Sequence, residues 1–392
     1  MTHGRIRLAA LTLSLALVAV SCQKDVPTSA DPVQVSLPAS PSKLATSNTY
    51  ASTVFATGFD NPRGLKFGPD GYLYVAEGGL GGTNSTVGEC DTVPDVGPYT
   101  GGMTGRISRV SHAGVRSTVA ENLPSSQTNP GSGSLVSGVA DVAFIGHTLY
   151  AVFAGAGCSH GVPGVPNAVI RVSHGGNWSI VADLSAFQMT HPVLHPNPLD
   201  FEPDGTWYSM IRVGDDLYAV EPNHGELDKI DPHGGKIRRI SDISASQGHI
   251  VPTALTYRHG EFYVGNLRTF PIVDGSSSVY KISPGGNVQV WATGFTTILG
   301  LEFDKKGRLY VLENTTGNPF PTPGTGTILR LNKSGMRDTI ATGLFLPTAL
   351  TIGPDRNLYV SNKGFGPPIP GFGEIVRIDL HDSPDGDDEG DE

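Results

Sequence analysis

The sequence predicts an all-β protein, a six-bladed β-propeller with four-stranded blades. First, a Leu-Tyr or Phe-Tyr pair recurs, and its tyrosines are Tyr74, Tyr150, Tyr218, Tyr263, Tyr310 and Tyr359. The last three intervals between them, 45, 47 and 49 residues, have the length of one propeller blade. Second, the chain has 51 Gly and 30 Pro but only 16% charged residues, which is typical of short strands joined by many turns. Third, the residues before the first repeat match a strand that the last repeat lacks.

Each repeat reads as four strands. A short apolar strand is followed by a tight turn, such as residues 68–71 (GPDG), whose Gly and Asp tolerate positive φ. The Tyr strand comes second. The third strand places a base between apolar residues, as in residues 170–172 (IRV), which fits the exposed phase of a period-2 strand. The fourth strand often ends in a Thr-Gly-apolar step, as at residues 293–295.

The sixth repeat ends after its third strand, near Leu380. Residues 53–59 (TVFATGF) closely match residues 288–295 (VQVWATGF), which form a fourth strand. We therefore expect the N-terminal strand to complete the last blade, because closing the ring removes open sheet edges. This places the propeller domain at residues 50–380.

The N-terminus is typical of an export signal of the lipoprotein type, residues 1–21. A basic start is followed by an apolar run over residues 8–20, and small residues precede Cys22. We expect Cys22 to be lipidated, which predicts a cell-envelope protein on the outer membrane or surface, held to the membrane by the anchor alone. The alternative is ordinary signal cleavage, with Cys22 incidental.

Two flanking segments are too polar or too poor in apolar periodicity to fold. Residues 22–49 are rich in Pro, Ser, Thr and Ala and predict a disordered tether. Residues 381–392 carry seven of the acids behind the net charge of −10 and predict a disordered acidic tail. The chain has no excess of basic residues, so we do not expect nucleic acid as a partner. We expect the protein to be a monomer.

Several motifs resemble known propeller families. Residues 61–64 (NPRG) with 70–77 (DGYLYVAE) resemble the NHL and gluconolactonase-type repeat. More narrowly, residues 202–208 (EPDGTWY), 213–226 (VGDDLYAVEPNHGE) and 247–254 (QGHIVPTA) resemble the ScyD/ScyE family. The resemblance covers about residues 50–380 and implies the fold. It implies no reaction, since one propeller fold supports many functions.

Loop lengths divide the ring into two faces. First-to-second and third-to-fourth turns lie on one face, here named the short-turn face, and the other connections lie on the long-loop face. The predicted long segments all belong to the long-loop face: residues 78–104, 124–137, 155–166, 183–204, 267–277, 314–326 and 363–373. Long loops on a rigid scaffold commonly carry binding sites, so we expect function on this face.

Blade three is the best candidate for specific recognition. The candidate ligand-binding residues are Asp204, Trp207, Tyr208, Glu221, Asn223 and His224, with His249 and Arg268 from the next blade. An aromatic beside polar side chains can stack a ring or a sugar, although Trp207 fits a packed rim residue equally well. His224 is the plausible general base, but no Ser or Cys is evident as its nucleophile.

A second candidate site is a metal in the central channel. Three residues after the repeat tyrosine stand Glu77, Glu221, Asn266, Glu313 and Asn362. Their oxygens could ligate Ca²⁺, and the resemblance implies a catalytic metal at similar positions of gluconolactonase-like propellers. The alternative, which we favour, is that these side chains bond backbone amides between blades.

Cys90 and Cys158 predict a disulfide. They lie in the second-to-third loops of adjacent blades, which brings them side by side, and export takes them to an oxidising compartment.

The leading functional hypothesis is an exported, lipid-anchored binding module for a small molecule, glycan or protein, with no reaction assigned. The first alternative is a metal-dependent lactonase-like hydrolase on the same face. The second is a structural scaffold of the cell envelope.

Overall fold

Six antiparallel β-sheets, one for each predicted blade, form the described part of the chain. The computed structural model describes Met1 and residues 50–332 and 335–380. The signal peptide after Met1, the tether with Cys22 and the acidic tail lie outside the described residues. The predicted all-β six-bladed propeller is confirmed.

The strands follow the repeat. Blade one contains β2 (Pro62–Phe67), β3 (Leu73–Glu77), β4 (Thr100–Val110), β5 (Arg116–Gln127) and the short β6 (Val136–Ser137). Blade two contains β7 (Val139–Ile145), β8 (Thr148–Phe153), β9 (Ala168–Val172) and β10 (Trp178–Asp183). Blade three contains β11 (Ser209–Val213), β12 (Asp216–Glu221), β13 (Glu226–Ile230) and β14 (Ile237–Asp242). Blade four contains β15 (Pro252–Arg258), β16 (Glu261–Asn266), β17 (Ser277–Ile282) and β18 (Val288–Phe295). Blade five contains β19 (Ile298–Phe303), β20 (Leu309–Glu313), β21 (Gly326–Leu331) and β22 (Arg337–Leu344). Blade six contains β23 (Ala349–Ile352), β24 (Leu358–Asn362), β25 (Gly373–Ile378) and β1 (Ser52–Phe59).

Short helices join some of these strands. They are α1 (Leu184–Thr190), α2 (Ser244–Gln247) and two 3-10 helices, Pro130–Ser132 and Cys158–His160. Neither α1 nor α2 has the length and apolar character needed to cross a membrane.

The first strand of each blade is innermost. β2 contacts both β7 and β23, and the same contacts between first strands continue around the ring. The second strands lie between neighbouring blades, so both their faces are buried, and β3 is buried at all five positions. The outermost strands meet water, and the first three residues of β1 are exposed. This gradient explains why the Tyr strand is mainly apolar whereas the fourth strand is mixed.

The hydrophobic core lies between blades rather than inside them. Tyr74 and Ile107 of blade one pack with Val142 and Phe153 of blade two, and equivalent clusters fill the other five interfaces. A blade therefore buries its apolar faces only against its neighbours, which makes closure of the ring necessary.

The predicted closure is confirmed. β1 pairs antiparallel with β25, with Ser52 opposite Ile378 and Phe59 opposite Gly373. The first strand of the domain thus forms the outer edge of its last blade.

Blade one departs from the expected loop boundaries. β4 begins at Thr100 and β5 continues to Gln127, so part of the predicted long loop is a hairpin extending from the blade. The glycines of this hairpin allow neighbouring backbone segments to approach closely, because a Cβ at Gly101 would lie 2.4 Å from the backbone oxygen of His160. The Gly-rich composition of this segment therefore predicted a loop where the structure has strands.

The predicted Cys90–Cys158 disulfide is formed, with the two Cα atoms 6.2 Å apart. Asn84 Nδ2 also donates to Gly161 O at 2.7 Å, and Thr86 Oγ1 donates to Cys158 O at 2.5 Å. These links join the loops of blades one and two on the long-loop face.

Candidate functional site

The acidic or amide residue that ends the second strand has a repeated structural role. In four blades its oxygen accepts a hydrogen bond from a backbone N–H of the segment that crosses from the preceding blade. The pairs are Glu77 with Asp60 N (2.7 Å), Glu221 with Thr206 N (2.9 Å), Glu313 with Thr296 N (2.6 Å) and Asn362 with Phe345 N (2.9 Å). Asn266 instead accepts from Ser278 N of its own blade at 2.7 Å. This is the backbone-bonding alternative that the sequence favoured.

A cavity lies between the inner strands of all six blades, and its lining includes Lys66, Asp141 and Glu302. None of the five residues at the strand ends is among the residues that line this cavity. The calcium ion in the central channel stays a prediction.

The channel mouth on the long-loop face is filled by side chains. Tyr208 of blade three donates its hydroxyl proton to Thr348 O beside blade six, on the opposite side of the ring, at 3.2 Å. Arg63 Nη1 donates to the Tyr208 hydroxyl at 3.4 Å, and the Arg63 guanidinium lies 5.7 Å from the ring centres of Tyr208 and Phe365. Leu299 and Leu346 pack around them. Tyr208 therefore closes the channel mouth.

What varies among the repeats is the residue across the ladder. Glu77 faces Arg106, Glu221 faces Glu226, Glu313 faces Thr327 and Asn362 faces Glu374. Among these four blades, only blade three opposes two carboxylates. Burial, followed by the charge of Glu226, raises the pKa of Glu221 well above its ordinary value. Burial raises the pKa of Glu313 to about 7.

The β12–β13 loop adds a histidine to this carboxylate pair. Glu221, His224 and Glu226, here named the blade-three cluster, each offer one ligand atom, and these atoms lie within 4.8 Å of one another. His224 is 3% exposed, and its backbone N–H donates to Glu221 Oε2 at 2.6 Å. Its Nε2 atom has no hydrogen-bond partner among the described residues. Burial lowers the pKa of His224 to about 4, so its imidazole is neutral at physiological pH.

Glu226 is held from two sides. Arg239 Nε donates to Glu226 Oε2, and Gln188 Nε2 donates to Oε1 at 3.3 Å. Asp228 is also buried, and its burial and the charge of Glu226 raise its pKa well above the ordinary value. The blade therefore buries a third carboxyl group two residues beyond Glu226.

Trp207 packs beneath this region. It is fully buried in the core between blades two and three, and its Nε1 donates to Asp228 Oδ2 at 3.3 Å. In this position Trp207 has no free face for stacking a ligand, in agreement with the packed-residue alternative.

A second buried network lies beside the cluster. The Tyr99 hydroxyl donates to Glu202 Oε1 at 3.1 Å, and His160 Nε2 lies 3.2 Å from Glu202 Oε2. The rings of Tyr99 and His160 have centres 4.6 Å apart. Burial alone would raise the pKa of Glu202, but the neighbouring His160 and its hydrogen bonds lower it below the ordinary value. Burial and then Glu202 raise the pKa of Tyr99 well above its ordinary value.

Above the cluster lie four residues that we name the surface group: Asp200, Phe201 and His249, which are partly exposed, and Asn223, which is buried. Asp200 Oδ2 lies 2.6 Å from His249 Nε2, and Asp200 Oδ1 accepts from Asn223 Nδ2 at 2.7 Å. The Phe201 ring lies 4.8 Å from the ring of His224. The surface group thus connects solvent to the blade-three cluster through a ring contact.

The eight predicted ligand-binding residues separate into two sets. Glu221, Asn223, His224 and His249 come together in or above the blade-three cluster, with Trp207 buried nearby. Three others lie elsewhere. Asp204 accepts from Ser159 N at 2.7 Å and Ser159 Oγ at 2.6 Å, Tyr208 closes the channel, and Arg268 Nε donates to Ser276 O of its own loop at 3.1 Å.

Several site residues escaped sequence reasoning. They are Tyr99, His160, Gln188, Asp200, Phe201, Glu202, Glu226 and Arg239. Glu202 and Glu226 stand at the ends of two stretches that carry the family resemblance, so those stretches contained a usable signal. Tyr99 and His160 lie in insertions without a repeat, and their contact depends on how two loops pack.

Comparison with known proteins supports the fold. No family model and no curated protein matches the chain significantly. Among solved structures, the chain is similar to a putative oxidoreductase (glucose dehydrogenase) from Thermus thermophilus, with 19% identity, a TM-score of 0.52, and coverage of 84% of this chain and 99% of that one. It is also similar to a gluconolactonase from Xanthomonas campestris, with 9% identity, a TM-score of 0.50, and coverage of 84% and 89%. A luciferin-regenerating enzyme matches at 10% identity and a TM-score of 0.50, with coverage of 85% and 96%.

These neighbours are gluconolactonase-like and related six-bladed propellers, and the likeness shows the shared fold. Membership of the ScyD/ScyE family stays a prediction.

Proposed function

We propose that the protein is an exported binding module, anchored through a lipid on Cys22, that takes a small polar ring compound or a glycan at the surface group. The observation that carries this proposal is the paired placement of Asp200 and His249 beside the exposed ring of Phe201. Carboxylate, amide and imidazole groups supply hydrogen bonds, and the aromatic face supplies stacking.

The surface group is accessible and supported from below. The side chains of Asp200 and His249 are 25% and 14% exposed, and Phe201 is 38% exposed. Asp200 is fixed by two hydrogen bonds, and Phe201 rests on the buried His224. Groups already held in place lose little entropy on binding, which favours specific recognition.

Exposed apolar side chains also favour the long-loop face as the binding face. In the described chain, two large exposed apolar residues lie in short turns, Val115 and Met336, whereas ten lie on the long-loop face. The ten are Val87, Met103, Met189, Leu194, Leu199, Phe201, Phe270, Val273, Phe320 and Ile369. Concentrated exposed apolar surface is typical of an interaction face.

Calorimetry against a panel of neutral and amino monosaccharides and their short oligomers tests the binding proposal. We expect at least one sugar to bind, and Asp200→Asn or Phe201→Ala to weaken it by about tenfold or more, because each removes a direct contact. His147→Ala is the matched control, since His147 is exposed on the short-turn face. Absence of any binder, or equal loss in the control, would count against the surface group.

The anchor has a separate test. Wild-type protein should partition with membranes, and Cys22→Ala should release it into the soluble fraction. Wild-type protein that is wholly soluble while it retains Cys22 would refute lipidation.

A second candidate function is lactonase-like hydrolysis, and the Asp200–His249 pair is the observation that favours it. Asp200 accepts the Nε2 proton and orients the ring, which leaves His249 Nδ1 to take a proton from a water attacking a lactone carbonyl. Proton release from glucono-δ-lactone, lost in His249→Ala, would support this candidate. A protein with neither ligand nor turnover would fit the scaffold alternative.

A further inference from the structure

We infer that the blade-three cluster, Glu221, His224 and Glu226, is a buried site for one divalent metal ion of the zinc class. This inference is independent of the proposed ligand-binding function.

Hairpin geometry brings the three side chains together. Glu221 ends β12 and Glu226 begins β13, and the two are directly paired across the ladder, so their side chains lie on the same face of the sheet. The four-residue loop between them turns at Gly225, whose φ of +75° suits glycine. This turn places His224 over the carboxylate pair, with the three ligand atoms within 4.8 Å of one another.

The charge of the region is incompletely compensated. Glu221, Glu226 and Asp228 are all fully buried, and Arg239 supplies one positive charge through its contact with Glu226. Opposed carboxylates repel each other, and burial removes the water that would otherwise screen them. A dication between Glu221 and Glu226 would neutralise the pair.

Two buried polar atoms in and beside the cluster lack partners. His224 Nε2 and Gln188 Oε1 are buried and have no hydrogen-bond partner among the described residues. Gln188 is 3% exposed, and its Nε2 already contacts Glu226 at 3.3 Å, so its amide group borders the cluster. A metal ion would give the imidazole nitrogen a partner, whereas Gln188 Oε1 lies against Gly205.

The donor set selects the class of metal. Calcium prefers six to eight oxygen ligands, whereas zinc and its neighbours accept imidazole together with carboxylate at low coordination number. One imidazole and two carboxylates therefore favour Zn²⁺ or Mn²⁺. The site is distinct from the calcium predicted for the central channel, and its burial suits a structural ion held within the β12–β13 hairpin.

Metal analysis of the full chain tests the inference. After purification without chelator and buffer exchange, inductively coupled plasma mass spectrometry should find about one zinc-class ion per chain, removable by a strong chelator. Readdition of Zn²⁺ should restore the stoichiometry and raise the melting temperature, whereas Ca²⁺ should not. Co²⁺ substitution should give visible absorption bands of nitrogen and oxygen coordination.

Variants assign the metal to these residues. Glu221→Gln and His224→Gln should each weaken Zn²⁺ binding by about a hundredfold, since each removes one ligand. Glu313→Gln is the matched control, because Glu313 occupies the same repeat position opposite a threonine and should retain full binding. If a variant does not fold, the stoichiometry and cobalt spectrum of the wild-type protein still decide. Wild-type protein that binds no zinc, or binding that survives both cluster variants, would overturn the inference.

Discussion

Blade one and blade three use the same repeat position in opposite ways. Glu77 and Glu221 each end a second strand, are fully buried and cap a backbone N–H of the incoming segment. Across the ladder, however, Glu77 meets Arg106, whose Nη2 lies 2.6 Å from Glu77 Oε2, whereas Glu221 meets Glu226. Blade one closes an ion pair, and blade three brings acid against acid beside a neutral histidine.

The difference separates structural from chemical roles. The repeat favours a hydrogen-bond acceptor at the strand end, because in four blades this acceptor satisfies a backbone N–H of the crossover segment. The residue across the ladder and the loop that follows decide whether the position stays structural. Only where an insertion also covers the site, as residues 184–208 cover blade three, does the repeat position become part of a candidate site.

The largest expected effect comes from the covalent link between the loops of blades one and two, which hold Tyr99 and His160 beside blade three. Replacing both Cys90 and Cys158 with serine should lower the free energy of unfolding by about 4 kcal/mol, because the bond closes a segment of 68 residues. Denaturant unfolding measures it. Tryptophan fluorescence should still report a folded ring, and a loss below about 1 kcal/mol would show that the loops are held by their hydrogen bonds alone.

Breaking the blade-one ion pair should have the next largest effect. Arg106→Met leaves the buried Glu77 carboxylate with Arg116, 3.6 Å away, as its one basic partner and should cost about 3 kcal/mol of unfolding free energy. The Glu77→Gln/Arg106→Met double variant should recover part of this loss, since the buried carboxylate is then gone, while Asp60 and Arg116 each still lose an ion-pair partner. A double variant as unstable as the single one would mean that Arg106 acts through packing rather than charge.

Glu313 provides the intermediate case, a buried carboxyl group opposite a neutral residue. Its pKa is raised to about 7 by burial, so the unfolded chain ionises first as pH rises. Stability from this group is therefore present below its unfolded pKa and is lost as pH rises toward 7. Glu313→Gln should remove about 2 kcal/mol of the stability difference between pH 5 and pH 8. Denaturation curves at both pH values measure it, and an unchanged difference would show that Glu313 is ionised with no penalty.

The smallest effect tests whether the channel mouth is separate from blade three. Tyr208→Phe removes the hydrogen bonds to Arg63 and Thr348 and should cost about 1 kcal/mol of unfolding free energy. Zinc and sugar binding should stay at wild-type levels, because Tyr208 has no hydrogen bond to the blade-three cluster. Altered zinc or sugar binding in this variant would show that the channel mouth and blade three form one site.

The architecture follows from the sequence alone. The repeated Tyr strand and its spacing set six blades, the match between residues 53–59 and 288–295 set the ring closure, and Cys90 and Cys158 fell in adjacent loops. These features follow from local periodicity and chain order, and both can be seen in the sequence. The backbone-capping role of Glu77, Glu313 and Asn362 was also anticipated, because every blade repeats the same crossover.

Which side chains form the candidate site depends instead on how distant parts of the chain pack together. Asp200 and His249 are 49 residues apart, and Tyr99 reaches Glu202 from 103 residues away. Trp207 and Tyr208 are adjacent aromatic residues with different positions in the fold. Trp207 is buried in the core, whereas Tyr208 bridges the channel. The physical reason is that these contacts depend on the paths of non-repeating insertions and on packing between blades. No periodic pattern along the chain records either of them.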